Sequence, residues 1–531
     1  MISESLFSIH PFWIEKHNLG GIYDQTSNVV INISRKEYDL IVKGISDPNN
    51  LSDELCKLLS EYAELNLLKP IRDFKIRNSD VFAKNVSDYS ELRAIPRKLT
   101  LELTENCNLR CKYCRYTINE IKKEGRYHNQ TVLSYDKAVK AIDNYFENYS
   151  KILANIPEQL ISQYIKRNPA VIGYYGGEPL LEKQTLKDLI NYSANKAVNL
   201  NIPSLQQFVT TNGTLLSSDI VKYFVDNKVY LSISLDGPQC ENDKNRVYKN
   251  GKGSFAKVYE VLKFIRDKFP EYFKTSITIQ AVAAPNYQID NVNEFFYNMS
   301  DNNLYAGVNS FVRLDFADFS GEDKLNNLNI IDDNYINAIL DNTISICEKI
   351  SKNATYEEVI RVFLFSPEYM DIFRMAFTSE ARIGDRPNCG KEHFNSCYLG
   401  KANIVLRANG EYHFCERTDY SMPIGHIDNG FDRDKIRGLY KEYFDIMNRH
   451  ECIKCWASIF CPICIGQLVD NSQIKCPTDA ECKQIRGRYD LYLKLLLVLA
   501  HKFPLIYTSL QTYFTKSNDT TIDDFMKLHS N

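Results

Sequence analysis

From Leu99 the chain alternates. Leu99, Leu101 and Leu103 are separated by Thr100, Glu102 and Thr104, the period of two that gives a strand one apolar face. Short apolar runs at 170–175, 207–211, 230–235, 276–282 and 308–314 predict further strands, and 135–149, 183–197, 218–226 and 255–268 carry apolar residues at helical spacing. Strands alternating with helices predict an α/β fold with a parallel sheet, open or closed into a barrel. Ahead of it, 21–33 predicts a hairpin turning near Asp24 to Asn28. Helices are predicted at 34–40 and 52–68, the second with Leu55, Leu58, Leu59, Tyr62 and Leu65 on one stripe. The polar stretch 74–92 reads as a linker. Residues 389–482 show little apolar periodicity, which predicts a region folded by metal ligands rather than by a core. Leu491 to Ala500 is the most apolar run; Lys494 interrupts it and it is too short to span a bilayer, so it reads as a buried helix.

A chain of 531 residues is long enough for two or three domains. The formal net charge of -3 leaves no electrostatic footprint for nucleic acid, and no basic run marks a membrane surface. The start, MISESLFSIHPFWIEK, lacks a charged region followed by an apolar one, so no signal peptide is read and a cytoplasmic protein is expected. Fifteen cysteines then need another use than disulfides, which a reducing compartment disfavours. Three fall within Cys107–Cys114 and nine between Cys389 and Cys482, the clustering that metal ligation produces. Cys56, Cys240 and Cys347 stand alone and are expected as buried small hydrophobes.

Cys107, Cys111 and Cys114 begin just past the first strand, where parallel α/β folds build active sites. Three thiolates within eight residues can hold one face of a cubane and leave its fourth iron open. A partial zinc site is the plainer reading, but zinc sites pair two Cys-x2-Cys knuckles and no second pair lies nearby.

This Cys-x3-Cys-x2-Cys pattern resembles the signature of radical S-adenosylmethionine (SAM) enzymes. Gly176-Gly177-Glu178-Pro179, at the end of the second strand, resembles the family segment that binds the SAM amino group. Thr211-Asn212-Gly213-Thr214 and Ser232-Ile233-Ser234-Leu235-Asp236-Gly237-Pro238 resemble the segments lining the ribose and methionyl groups. Asp243 and Arg246 match the family's Asp-x2-Arg, where an arginine suits a carboxylate. The resemblance implies a partial (β/α)6 TIM-like barrel and a [4Fe–4S] cluster on Cys107, Cys111 and Cys114. It implies SAM contacts from Tyr113, Gly176, Gly177, Glu178, Asn212, Ser234, Asp236 and Arg246. In such enzymes the reduced cluster cleaves SAM to methionine and a 5′-deoxyadenosyl radical that takes a hydrogen from substrate. A flavodoxin- or ferredoxin-type electron donor is implied with it.

The tail reads Cys397-x12-Gly410-x4-Cys415, then Cys452-x2-Cys455-x5-Cys461-x2-Cys464, then Cys476 and Cys482. It resembles the SPASM extension of the same family, which binds two auxiliary [4Fe–4S] clusters. Carried over by position, one cluster would use Cys389, Cys397, Cys415 and Cys464, and the other Cys452, Cys455, Cys461 and Cys482. Cys461 and Cys464 stand two residues apart where the family has three, and Cys476 competes with Cys482. The two knuckles could instead hold one zinc, leaving Cys389, Cys397, Cys415 and Cys482 without a metal unless a second ion is invoked.

The 106 residues ahead of Cys107 resemble the small α+β, winged-helix-like recognition domain of peptide-modifying relatives, which takes up a precursor's leader as an added strand. The organisation expected is a recognition domain at 1–90, a radical SAM core at 95–330, a helical linker at 331–385, a Cys-rich iron–sulfur domain at 386–485 and C-terminal helices at 486–531. The function expected is a maturase of a ribosomally made precursor peptide, closing a thioether or carbon–carbon cross-link. A sulfatase-type maturase making formylglycine is the alternative within the class. A non-catalytic, zinc-stapled peptide-binding protein is the alternative outside it.

Overall fold

The computed structural model describes residues 6, 9–25, 29–65, 67, 98–122, 127–283, 288, 291–292, 294–296, 312–316, 333–350, 403–416, 418, 421–452, 455–458, 461, 463–470 and 473–516. The expected linker at 74–92, Cys389 and Cys397 lie outside them, as do 308–311 and 351–385.

The alternating segment forms β4 (Leu99–Glu102), and five parallel partners follow it in chain order: β5 (Ala170–Tyr175), β6 (Leu205–Thr211), β7 (Tyr230–Ser234), β8 (Ile277–Ala283) and β9 (Val312–Phe316). The connections contain helices, chiefly α3 (Arg115–Lys122), α4 (Tyr135–Leu153), α5 (Glu158–Arg167), α6 (Lys183–Asn199), α7 (Ser218–Asp226), α8 (Gln239–Asn245), α9 (Phe255–Lys268) and α10 (Pro270–Ser276). Six consecutive parallel strands with helical crossovers make an α/β sheet of the partial-barrel kind. The helices bury regular stripes: α4 turns Ala138, Ala141, Ile142, Tyr145, Phe146 and Tyr149 inward, onto the outer face of strands carrying Leu101, Ile172 and Tyr174. Burying Ile142 or Phe146 in this way contributes about 1.5–3 kcal/mol each. α5, α8 and α10 were not expected from the periodicity; each is ten residues or fewer.

Beyond β4 the same sheet continues. β10 (Ile404–Leu406) pairs parallel with β4, and β11 (Glu411–His413), β12 (Gly425–His426) and β13 (Gly430–Phe431) follow antiparallel. α12 (Arg433–Arg449) then buries Leu439, Tyr440, Tyr443 and Phe444 in the core shared with the barrel, beside Leu406, Phe414 and Ile424. The expectation of a region folded by metal ligands alone is corrected here: 404–449 has apolar packing of its own. Its strands are two or three residues long, too short for periodicity to show. A short turn α13 (Ile465–Leu468) leads to the hairpin β14 (Val469–Asp470) and β15 (Gln473–Ile474).

The long helix α14 (Asp479–Lys502) crosses the expected boundary at 485, and α15 (Pro504–Lys516) follows it. Thr478 and Glu481 form a reciprocal cap that fixes its first turn, which carries Cys482. At the other end of the chain, β1 (Ile9–Ile14), β2 (Leu19–Asp24) and β3 (Val29–Ile33) form an antiparallel sheet in that order, followed by α1 (Arg35–Ser46) and α2 (Asp53–Glu64). One face packs Ile9, Ile22 and Ile33 on Ile41, Leu55 and Leu59. The other packs Phe12, Ile14, Leu19 and Tyr23 in one cluster with Ile339 of α11 (Asp333–Ile350) and Tyr489, Leu493 and Val498 of α14. Both faces being covered, β2 is buried along its whole length.

Among the described residues no helix is long and apolar enough to cross a membrane. Of the three isolated cysteines only Cys347 is buried; Cys56 is half-buried and Cys240 exposed, because α8 carries the latter on its outer side.

Candidate functional site

The loop leaving β4 is clamped from two sides. Arg110 and Lys112 donate their amides to the carbonyls of Val247 and Asn245. On the other side, the Gly177 amide donates to Thr104 O (2.7 Å) and the Glu178 amide to Asn106 O (2.8 Å). A Cβ on Gly176 would stand 2.5 Å from Thr104 O, and one on Gly177 2.1 Å from Asn106 O. The glycine pair thus lets two backbones touch immediately before Cys107.

Asn212 closes the third side. Its amide group donates to Asn108 Oδ1 (2.9 Å) and lies 3.8 Å from Cys107 Sγ, while Asn108 donates to Thr214 Oγ1 (2.8 Å). Glu178 is wholly buried, and its carboxylate accepts from Thr211 Oγ1 (2.7 Å), the Asn212 amide (2.7 Å) and the Leu180 amide (3.0 Å). It ties the second strand's tip to the third. Burial lifts its carboxyl to about 7, against those three hydrogen bonds.

Asp236, just past β7, accepts from Tyr113 Oη (2.6 Å) and the Val282 amide (2.9 Å) and pairs with Arg246 Nε at 2.9 Å. The Arg246 guanidinium stands 5.5 Å over the Tyr113 ring. Ser234 ends β7, half-buried, opposite Gln280 of β8. Asp243 caps α9 instead, accepting from the Phe255 amide (2.9 Å). The motif ends read from sequence are therefore brought together around one loop.

The three thiols are close enough to feel one another. Burial holds each above the ordinary thiol range; Glu178, Cys111 and Cys114 add to it at Cys107, and Arg246 opposes it at Cys111. Three half-buried thiols with donors from the Leu109 amide and Asn212 aimed at one sulfur are a donor set that a bound cation would ionise, and so fit an iron–sulfur cluster.

In the tail, burial raises the Cys452 thiol, and Cys461, Cys482, Cys455 and Cys476 add to it, so these cysteines lie near it. Cys464 lies near Thr418 and the segment carrying Cys415, and with Cys461 and Cys452 it also acts on Tyr443. Cys476 is exposed; His450 spans it and Cys482 with its two ring nitrogens, each 3.4 Å from sulfur. Among the described residues no three His, Cys, Asp or Glu side chains converge as a single-ion site.

Three contacts were not foreseen. His128, buried, bridges Thr117 Oγ1 and Glu105 O at 3.3 Å each and so spans both ends of the thiol loop. Trp456, directly after the first knuckle, stacks on His10 with ring centroids 3.7 Å apart. Glu102 pairs with Arg407. The inward alternation Thr100, Glu102, Thr104 was the available signal for Glu102; the others depend on partners remote in sequence or on a segment with no periodicity.

Six parallel strands, a three-thiol loop at the end of the first and glycine, asparagine and aspartate tips beside it define a class. Residues 101–295 match the Radical SAM superfamily, and this part of the chain is a radical SAM domain. An uncharacterized protein of Methanocaldococcus jannaschii is 31% identical over 158 residues, 30% of this chain and 44% of that protein. The cysteine-type anaerobic sulfatase-maturating enzyme of Clostridium novyi is 29% identical over 196 residues, 36% of this chain and 46% of that enzyme. The chain thus spans less than half the length of these curated relatives. Native anSMEcpe with bound AdoMet superposes with a TM-score of 0.52 at 16% identity, covering 78% of this chain and 99% of that one, a likeness of fold. The superfamily implies one [4Fe–4S] cluster and SAM.

Proposed function

We propose that this chain is a radical SAM/SPASM maturase that takes a hydrogen from a ribosomally made peptide and closes a thioether or carbon–carbon cross-link. The observation that carries it is the convergence of Cys107, Cys111 and Cys114 with Gly177, Asn212 and the Tyr113–Asp236–Arg246 set at the ends of successive parallel strands. When bound, cluster and SAM supply the radical that removes the hydrogen. Cys107, Cys111 and Cys114 would hold the cluster. Asn212 would steady the Cys107 sulfur, Glu178 would fix Asn212, and Asp236 would hold Arg246 and Tyr113 against the SAM end of the site. Gly176, Gly177 and Ser234 complete the lining.

The nearness of Cys455, Cys461, Cys476 and Cys482 to Cys452, and of Cys464 to the segment carrying Cys415, supports the auxiliary clusters that the resemblance implies, one on Cys452, Cys455, Cys461 and Cys482 and one on Cys389, Cys397, Cys415 and Cys464. The three-stranded sheet at 9–33 supports leader recognition at 1–90, since β3 is an edge with Val29 exposed. Structures of native anSMEcpe hold both AdoMet and a peptide. A flavodoxin- or ferredoxin-type donor, in a reducing cytoplasm, completes the reading. The sulfatase-type alternative is favoured by the curated relatives named as sulfatase-maturating enzymes.

Anaerobic reconstitution should load about twelve irons per chain and, with reductant and SAM, release 5′-deoxyadenosine. A precursor peptide encoded beside the gene should lose mass in two-hydrogen steps on incubation. Zinc without iron, or formylglycine in a sulfatase peptide with no change in the precursor, overturns the proposal.

A further inference from the structure

Glu102 closes β4, five residues before Cys107, and Arg407 directly follows β10, the strand paired with it. Their side chains are both fully buried, with Nη1 2.7 Å from Oε2. The other terminal nitrogen, Nη2, donates to three carbonyls of one loop: Cys415 (3.2 Å), Glu416 (3.2 Å) and Thr418 (3.4 Å). Tyr116, two residues after Cys114, donates to the same Glu102 oxygen (3.3 Å). A second strand-to-loop link runs in parallel: Thr100 donates to Asn403 (3.0 Å), which donates to the Glu416 carboxylate (2.6 Å).

Taking a carboxylate and a guanidinium out of water costs several kcal/mol per ion unless each is paired and its remaining hydrogen-bonding groups are used. Here the arginine fork is used on both arms, one for the charge and one for the loop. A lysine would supply the charge but not both directions, because its ammonium is a point donor. Within the loop the Thr418 amide (3.4 Å) and hydroxyl (2.7 Å) donate to Cys415 O, and the three carbonyls drawn to one cation tie that turn to Arg407.

We propose that Arg407 is a positioning residue for the auxiliary centre: it ties the Cys415 backbone to β4 and so sets where the Cys415 thiol stands for the cluster bound there. The proposal rests on the reading of Cys415 as an auxiliary-cluster ligand. Partners that orient a ligand decide how well its cluster is held. The path Cys114–Tyr116–Glu102–Arg407–Cys415 also makes the loop of one centre a mechanical neighbour of the other.

The test uses the full chain, reconstituted anaerobically with iron and sulfide, in four forms: parent, Cys415→Ala, Arg407→Lys, and the double variant Glu102→Gln/Arg407→Met. The double variant leaves no lone buried charge, so it guards against simple unfolding. Iron per chain, the spectrum of the reduced clusters and a redox titration are read. Expected in Arg407→Lys and in the double variant is either loss of about a third of the iron or a shifted auxiliary midpoint. A tenfold shift in the reduction equilibrium is about 59 mV for one electron. The signal that responds to added SAM stays at the parent value. If Cys415→Ala loses a cluster while both Arg407 variants match the parent in iron and potential, the proposal falls alone. If Cys415→Ala itself matches the parent, the ligand reading falls and takes the proposal with it.

Discussion

Tyr113 Oη donates to Asp236 Oδ2 across 2.6 Å, fastening the residue before Cys114 to the segment that leaves β7. Asp236 holds Arg246 with its other oxygen, so one carboxylate orders an aromatic ring and a guanidinium on the same side of the thiol loop. Removing the phenol in Tyr113→Phe leaves Asp236 with Arg246 and the Val282 amide. The expected loss is about 0.5–1.5 kcal/mol, up to about tenfold in SAM affinity. Equilibrium dialysis of SAM against the reconstituted protein measures it, with iron content expected to stay at the parent level.

A methyl group on Gly177 has nowhere to go. Gly177→Ala would place a carbon against Asn106 O and push the thiol loop away from β5. Iron retention and 5′-deoxyadenosine formation are both expected to fall by more than tenfold. Gly438→Ala, on the exposed side of α12 with open space around it, is the contrast: a gain of about 0.5–1 kcal/mol in chemical denaturation and no change in iron.

His128 gives the loop an acid limit. Burial is the main cause that lowers its imidazole from 6.5 to about 4, with Arg110 adding to it. The folded protein therefore binds this proton less readily than the unfolded chain. Stability from this group is complete above about pH 6.5 and is lost as pH falls toward 4. His128→Gln should flatten the dependence of the unfolding midpoint over that window. An unchanged slope would show that other groups carry it.

Trp456 and His10 join the knuckle to β1. Asp490 takes His10 Nε2 at 2.7 Å, and Gln25 donates to Ser458. Trp456→Ala should cost about 2 kcal/mol and open the first strands to limited proteolysis, with SAM cleavage largely retained. Cutting away residues 1–64 should do more than remove a recognition element. It would bare the apolar face that Phe12, Ile14, Leu19 and Tyr23 cover, read as strong binding of a hydrophobic dye.

The barrel was legible because its strands and helices are long enough for period to show. Predicted 170–175, 218–226 and 255–268 coincide with β5, α7 and α9. The thiol loop and its glycine, asparagine and aspartate neighbours were legible because each sits at a strand end. What was not legible depends on distance. β10 has three residues and joins a strand some 300 positions earlier; β1 gave no alternation because one strand serves two cores. Arg407 looks like any arginine until β10 sets it beside Glu102.

The contact of His10 with Asp490 also has a consequence for synthesis. The partners are 480 residues apart. At about 5–20 residues per second, the first sheet waits on the order of half a minute to a minute and a half on the ribosome before its covering helix exists. During that interval its uncovered side is a candidate for chaperone capture.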